Sequence, residues 1–266
     1  MIGQTKLLKL LNTLTLDNLP KAVLLLGDKG CGKHTYLNLI CEKLQVSSID
    51  ITDVVSFEYI LQLYSRSIPS IYYIDIDKFT EKKQNIILKL LEEPPVNAYI
   101  VLLSSNRSLL LPTIVNRCII YEFEKYSYQE LSSFVESGSD IELICEIYRT
   151  PGQILSSNID NVRKLYELCE KIITRMKDSS YPNSLSISEK INYSDEYDKF
   201  DLMAFFNMMN YVILDIYKHS SDENIIKYMT ITIDYRRRFE QDNRLDKQRL
   251  FENYITAMWK ISKGII

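Results

Sequence analysis

Three of the chain's seven glycines fall within Gly27-Asp-Lys-Gly30-Cys-Gly32, after the apolar run Val23-Leu-Leu-Leu and directly before Lys33-His34-Thr35. This is the G-x-x-x-x-G-K pattern of a phosphate-binding loop, in the strand-to-helix context that gives the pattern meaning. Backbone N–H groups of such a loop converge on phosphate oxygens, the helix start adds positive dipole, and Lys33 adds charge. The candidate nucleotide contacts are therefore Gly27, Gly30, Gly32, Lys33, His34 and Thr35. A glycine turn that only packs strand against helix would not require the lysine in register.

The position after Lys33 calls for a serine or threonine hydroxyl to serve magnesium, and His34 stands there. Magnesium prefers oxygen ligands in near-octahedral geometry, so an imidazole replaces the hydroxyl poorly. Thr35 comes one residue late, a rotation of about 100° on a helix. ATP or ADP binding is expected to be weak and the magnesium site compromised. With no partner carboxylate next to it in sequence, His34 is read as a helix-start residue rather than an acid–base group.

A second candidate group is Ser70-Ile-Tyr-Tyr-Ile-Asp75-Ile-Asp77, an apolar strand ending in acids. Asp75 is the choice for the acid on the metal side of a nucleotide. Ile76 stands where an ATPase of this type carries a water-activating glutamate, so the catalytic pair is incomplete. Asp77 is open between that region and a solvated strand cap.

These residues require an α/β frame. Apolar runs at 22–26, 48–51, 71–75, 99–104 and 118–121 are predicted strands, alternating with helices at 33–44, 54–66 and 81–91, the last stopped by Pro94-Pro95. Tyr72 and Tyr73 suit a strand near the core. Helical spacing then takes over at 129–135, 140–148 and 162–173, followed by a polar linker at 177–184. Stripes containing Phe205, Phe206, Met209 and Val212, and later Phe251, Tyr254 and Met258, predict a helical bundle with an apolar core or subunit interface. The expected organisation is an α/β domain at 1–123, a helical lid at 124–178 and an all-α domain at 184–266.

Composition narrows the class. At 266 residues, 46% hydrophobic and 25% charged, the chain is globular, with no apolar run suited to a membrane span and no signal-peptide pattern, so a cytoplasmic protein is expected. A formal charge of -3 gives no global electrostatic reason to expect tight, autonomous nucleic-acid binding, and any DNA contact would have to be local or shared. The five cysteines form no C-x-x-C pair, which predicts buried thiols and no zinc site. Arg236, Arg237, Arg238, Arg244, Lys247 and Arg249 form a basic stretch interleaved with Glu240, Asp242 and Asp246, read as a solvated helix face or subunit contact rather than a DNA site.

Two longer stretches resemble a known family. Asn85-Ile-Ile-Leu-Lys-Leu-Leu-Glu-Glu-Pro-Pro95 and Leu111-Pro-Thr-Ile-Val-Asn-Arg117-Cys118 are similar to the N-x-L-L-K-x-L-E-E-P-P and L-P-T-I-x-S-R-C signatures of bacterial DNA polymerase III clamp-loader subunits, and Ile2-Gly-Gln resembles their start. The resemblance implies an AAA+ phosphate-loop domain with a five-stranded parallel sheet, a helical lid and a C-terminal collar. It puts Ser105 and Asn106 in the sensor-1 region, where a turn-forming role competes evenly with nucleotide sensing. Active subunits carry the magnesium hydroxyl, an Asp-Glu pair and a lid arginine; this chain has His34, Asp75-Ile76 and Gln153. Arg117 is retained, a pattern resembling the delta-prime stator, whose arginine reaches a neighbour's ATP.

The resemblance implies an accessory, non-hydrolysing subunit. Its partners would be clamp-loader ATPase subunits and a clamp-opening subunit, with the sliding clamp met indirectly and primed DNA through the complex. Competing readings are a divergent hydrolysing clamp-loader ATPase and a nucleotide-binding adaptor outside replication. For Arg117, the competing reading is a local ion pair steadying the border between sheet and lid.

Overall fold

The computed structural model describes residues 2–64, 67–135, 140–178, 201–219, 224–241 and 246–265. The expected linker lies outside these from residue 179 on, as do 184–200 of the last expected domain, and Asp242 and Arg244 of the basic stretch. Contacts divide the chain into two compact units, Met1–Phe134 with Thr150–Leu155, and Val135–Arg149 with Ser156–Ile266.

The first unit is built on five parallel strands, β1 (Ala22–Leu26), β2 (Ser47–Asp50), β3 (Ser70–Asp75), β4 (Ala98–Ser104) and β5 (Ile119–Glu122), in the order β2-β3-β4-β1-β5. Both faces are covered, which is why β1 and β4 are buried at every residue. Alternation divides β1 between two cores: Leu24 and Leu26 meet Ile87, Leu90 and Ile114, while Val23 and Leu25 meet Tyr36 and Leu37. The first core is closed by α3 (Phe57–Leu63), α4 (Glu81–Glu92) and α5 (Pro112–Val115), the second by α1 (Thr5–Thr13) and α2 (Lys33–Leu44). Tyr72 is buried and Tyr73 half-buried, as expected of a strand near the core.

The five expected strands are present, with shifted ends. β5 starts at Ile119 because the Arg117 and Cys118 N–H groups still donate to Ile114 and Val115, closing the end of α5. The helix expected at 54–66 begins only at Phe57, where the Ser56 hydroxyl accepts from the Tyr59 N–H as an N-cap. Buried Gln4 exchanges side-chain hydrogen bonds of 2.8 and 2.9 Å with the Glu124 backbone, tying the start of the chain to the end of β5. After β5 come α6 (Tyr128–Ser132), opened by a Ser127/Glu130 capping box, and, later in the chain, α8 (Pro151–Ser156).

The second unit holds α7 (Ile141–Ile147), α9 (Ile159–Asp178), α10 (Leu202–His219), α11 (Asn224–Gln241) and α12 (Lys247–Ser262). Phe205 packs edge-on to Phe251 at 5.1 Å and Phe206 to Tyr254 at 5.2 Å, so the aromatic stripes form the bundle core. Buried Asn207 donates to the Ile147 carbonyl at 2.8 Å, and Ser262 to that of Met176 at 2.8 Å, binding α7 and α9 into the same unit as α10 and α12. No helix among the described residues is long and apolar enough to cross a membrane.

Candidate functional site

The glycine-rich loop leaves the carboxyl end of β1, between β4 and β5, where an open parallel sheet presents its ligand crevice. The Gly27 N–H donates to the Ser104 carbonyl at 3.1 Å, holding the loop against β4. Gly32 has φ +103°, a left-handed conformation that disfavours side chains, and starts α2 with no side-chain cap. The first amides of this 12-residue helix therefore face outward uncapped, as anion binding requires. The Lys33 ammonium lies over the loop, donating to the carbonyls of Gly27 and, at 3.1 Å, Asp28. Cys31 is buried beneath the loop, and burial raises its thiol above the ordinary range.

A contact absent from the sequence reading closes the other side of the loop. The Thr150 hydroxyl donates to the Lys29 carbonyl at 2.8 Å and the Gly152 N–H to that of Gly30 at 2.9 Å. Gly30 has φ +83°, and a Cβ added there would lie 2.8 Å from Thr150 Oγ1 and 3.1 Å from the Gln153 nitrogen. The two backbones touch directly, and only glycine at 30 and 152 permits that approach. The signal available in sequence was Thr150-Pro-Gly in a chain with few glycines.

His34 and Thr35 are exposed on the first turn of α2. The His34 ring meets Tyr73 edge-on, with centroids 5.7 Å apart at 83°. Tyr73 precedes Asp75 by two on β3 and shares its face, so the His34 contact brings the first turn of α2 beside the strand that carries this acid. The Asp75 N–H donates to Thr52 Oγ1 at 2.9 Å, and its carboxylate pairs with Lys78 at 3.6 Å. Beside them, burial opposes ionisation of Asp50, but hydrogen bonds from Thr52, the Lys78 charge and the Tyr73 hydroxyl outweigh it and hold its pKa below the usual carboxylate value. Among the described residues no group of three or more His, Cys, Asp and Glu side chains is arranged to hold a metal.

Asp77 is no solvated strand cap. Its carboxylate accepts from the Ser104 hydroxyl at 2.6 Å, the Ser105 N–H at 2.7 Å and the Ser105 hydroxyl at 2.5 Å. Ser105 is thus tied to Asp77, and the Asn106 side chain accepts from the Ser108 N–H at 2.9 Å, starting a short 3-10 turn. Both residues reach the end of β4 beside the glycine loop, as expected, with these polar groups engaged locally.

Arg117 lies elsewhere. Ile119, the first residue of β5, pairs with Val23, four residues before Gly27 or about 13 Å along β1 at about 3.3 Å per residue, and Arg117 precedes it in the turn that closes α5. Its Nη1 donates to the Thr113 carbonyl at 2.8 Å and its Nη2 pairs with Glu92. An ion pair does form, but with the end of α4, within the sheet-bearing unit. That corrects the alternative of a bridge at the border between sheet and lid. In the basic stretch, Arg238 pairs with Asp234 at 2.7 Å, Arg236 donates to Asn207 at 3.1 Å and Lys247 sits over the Phe239 ring, so these cations are spent on different neighbours.

Residues 47–127 match the family described as DNA polymerase III, delta subunit. That segment carries Asp75, Asp77, Ser105, Asn106, Glu92 and Arg117, and excludes the glycine loop. A similar protein is the DNA polymerase III subunit delta' of Buchnera aphidicola subsp. Schizaphis graminum (strain Sg), 31% identical over 88 residues, or 33% of this chain and 26% of the relative. The chain therefore spans about a quarter of that relative's length. A mutant RuvB of Thermotoga maritima is similar in structure, with TM-score 0.50, 21% identity and coverage of 84% of this chain and 81% of the other. This last likeness concerns the fold alone. The resemblance read from the two motifs extends over residues 47–127, which are similar to the DNA polymerase III delta family, and the fold is like that of RuvB.

Proposed function

We propose that this chain is an accessory, non-hydrolysing clamp-loader subunit of the delta-prime kind. It assembles with ATP-hydrolysing subunits and a clamp-opening subunit to load a sliding clamp on primed DNA, and it supplies Arg117 to a neighbour's nucleotide. The observation that carries this reading is that Arg117 precedes the start of β5, whose first residue pairs with Val23, about four residues of strand before the glycine loop, so its side chain lies towards the other end of the sheet from its own loop. A guanidinium at the opposite end of the sheet can serve a nucleotide only in another subunit.

The glycine loop, the open start of α2 and Lys33 suit a nucleotide's phosphates. The donor set for magnesium does not fit: His34 packs on Tyr73, and Ile76, wholly buried, stands where an activating carboxylate is needed. These two losses, with Gln153 in place of a lid arginine, all bear on hydrolysis and leave phosphate binding less affected. The chain's contribution is then the fork geometry and permanent charge of Arg117, aimed at charge redistributed on a γ-phosphate.

The test is Arg117→Ala in the assembled complex. An arginine supplied to a neighbour is typically worth about 10³ to 10⁵ in rate, so partner turnover should collapse while assembly persists. Arg117→Lys should rescue poorly, because a point charge lacks the fork. Unchanged turnover together with a lowered melting temperature of the isolated chain would overturn the reading.

A further inference from the structure

Glu92 and Glu93 stand at the carboxyl end of α4, where the helix dipole is already negative and added carboxylates are unfavourable. Leu90 and Leu91 are buried in the sheet core, and the Glu93 N–H donates to the Lys89 carbonyl at 3.0 Å, so this helix end is fixed. Pro94-Pro95 then prevents continuation. The result is a negative helix end whose Glu92 faces the turn between α5 and β5. Arg117 is the residue of that turn that meets it.

We propose that Glu92 is the positioning residue for Arg117, holding the guanidinium ready for a partner's phosphate. The proposal rests on the reading of Arg117 as an arginine that acts in trans. The Arg117 backbone is set by its N–H bond to Ile114 at 3.0 Å, and the side chain is gripped at both terminal nitrogens, by the Thr113 carbonyl and the Glu92 carboxylate. Two of the five guanidinium N–H groups are used in this grip and three remain. The side chain is 33% exposed, so it remains accessible to a partner.

The grip has two opposing effects on catalysis. Glu92 offsets part of the arginine charge, and it removes the rotamer freedom that a long side chain otherwise loses on meeting phosphate. Water screens the Glu92 charge at this partly exposed site, and the unscreened part of the hold is the bond from Nη1 to the Thr113 carbonyl, which with Glu92 fixes the plane of the guanidinium. On the proposal, a phosphate, with more negative charge than a single carboxylate, would engage N–H groups not used by Thr113 and Glu92.

In the complex assembled with ATP-hydrolysing clamp-loader subunits of the same organism, Glu92→Ala should lower partner turnover about three- to tenfold. The loss should fall on kcat with KM nearly unchanged. Glu92→Gln, which keeps an acceptor, should retain more activity than alanine. The double variant Glu92→Ala, Arg117→Ala should be no slower than Arg117→Ala alone, because Glu92 acts only through that arginine. If Arg117→Ala is itself without effect, the trans reading fails. If Arg117→Ala is slow while Glu92→Ala and Glu92→Gln are unchanged or faster, the positioning role is overturned, and faster turnover would mean that the carboxylate restrains the arginine. Additive losses in the double variant would also overturn it.

Discussion

Replacing Asp77 by alanine should destabilise the sheet-bearing unit much more than replacing Asp75, although the two acids are two residues apart. The Asp77 carboxylate accepts three hydrogen bonds of 2.5 to 2.7 Å. Bonds to a charged acceptor contribute about 1.5–3 kcal/mol each, and they do not add fully when they share one acceptor. The fully buried Ser104 hydroxyl keeps a weaker partner in the Asn106 carbonyl at 3.2 Å, and the half-exposed groups of Ser105 can turn to water. The net cost of Asp77→Ala is then about 2–4 kcal/mol. Asp75 offers one ion pair to Lys78 at 3.6 Å, with side chains 36% and 60% exposed, which is worth at most about 1 kcal/mol. Asp77→Asn should fall between, because its amide N–H group faces a donor.

Urea unfolding followed by far-ultraviolet circular dichroism measures these differences. Hydrogen exchange at the 104–108 amides locates the loss in the first unit. Equal costs for Asp77→Ala and Asp75→Ala, or an asparagine as stable as the parent, would show that the carboxylate does not anchor the end of β4.

The isolated chain should release phosphate from ATP negligibly, and calorimetry should find weak ADP or ATP binding that changes little with magnesium; tight binding lost on adding a chelator would refute the assignment of His34. Gly30→Ala should cost about 2–4 kcal/mol, from its positive φ and the crowding against Thr150 and Gln153, and an unchanged melting temperature would mean that the loop does not meet Thr150 and Gly152 in solution. Burial pushes Cys118 from its ordinary value near 9 up to about 12 and also raises Tyr254. The folded chain thus keeps protons that the unfolded chain releases, so this stability is intact below pH 9 and is lost as pH rises from 9 towards 12. Melting temperatures across that range should fall, less steeply in Cys118→Ala, and thiol reagents should react slowly before unfolding, since four of the five cysteines are buried and Cys41 is half-buried.

Much of the frame was legible because its signals are local. β1, β3 and β4 are continuous apolar runs, and a fully covered parallel sheet requires them. The edge strands β2 and β5 are only partly buried, so their sequences carry less signal and β5 begins one residue later than expected. The helix α1 was not among the expected elements, although Leu7 and Leu11 on its buried side repeat at helical spacing, and the start of α3 depended on the Ser56 cap.

The candidate site divides in the same way. The glycine loop, Lys33 and the missing hydroxyl at His34 are consecutive residues, so sequence by itself determined their arrangement, and the two long motifs carried the family resemblance. Only tertiary structure decided that Asp77 anchors Ser104 and Ser105, that Tyr73 faces His34, that Gly152 rests on Gly30, and that Glu92 grips Arg117. These pairs are separated by 25 to more than 100 residues, and what joins them is the strand order β2-β3-β4-β1-β5 together with the packing of helices on the sheet. A residue's type sets which bonds it can form, but its partner is set by which elements the hydrophobic cores bring side by side.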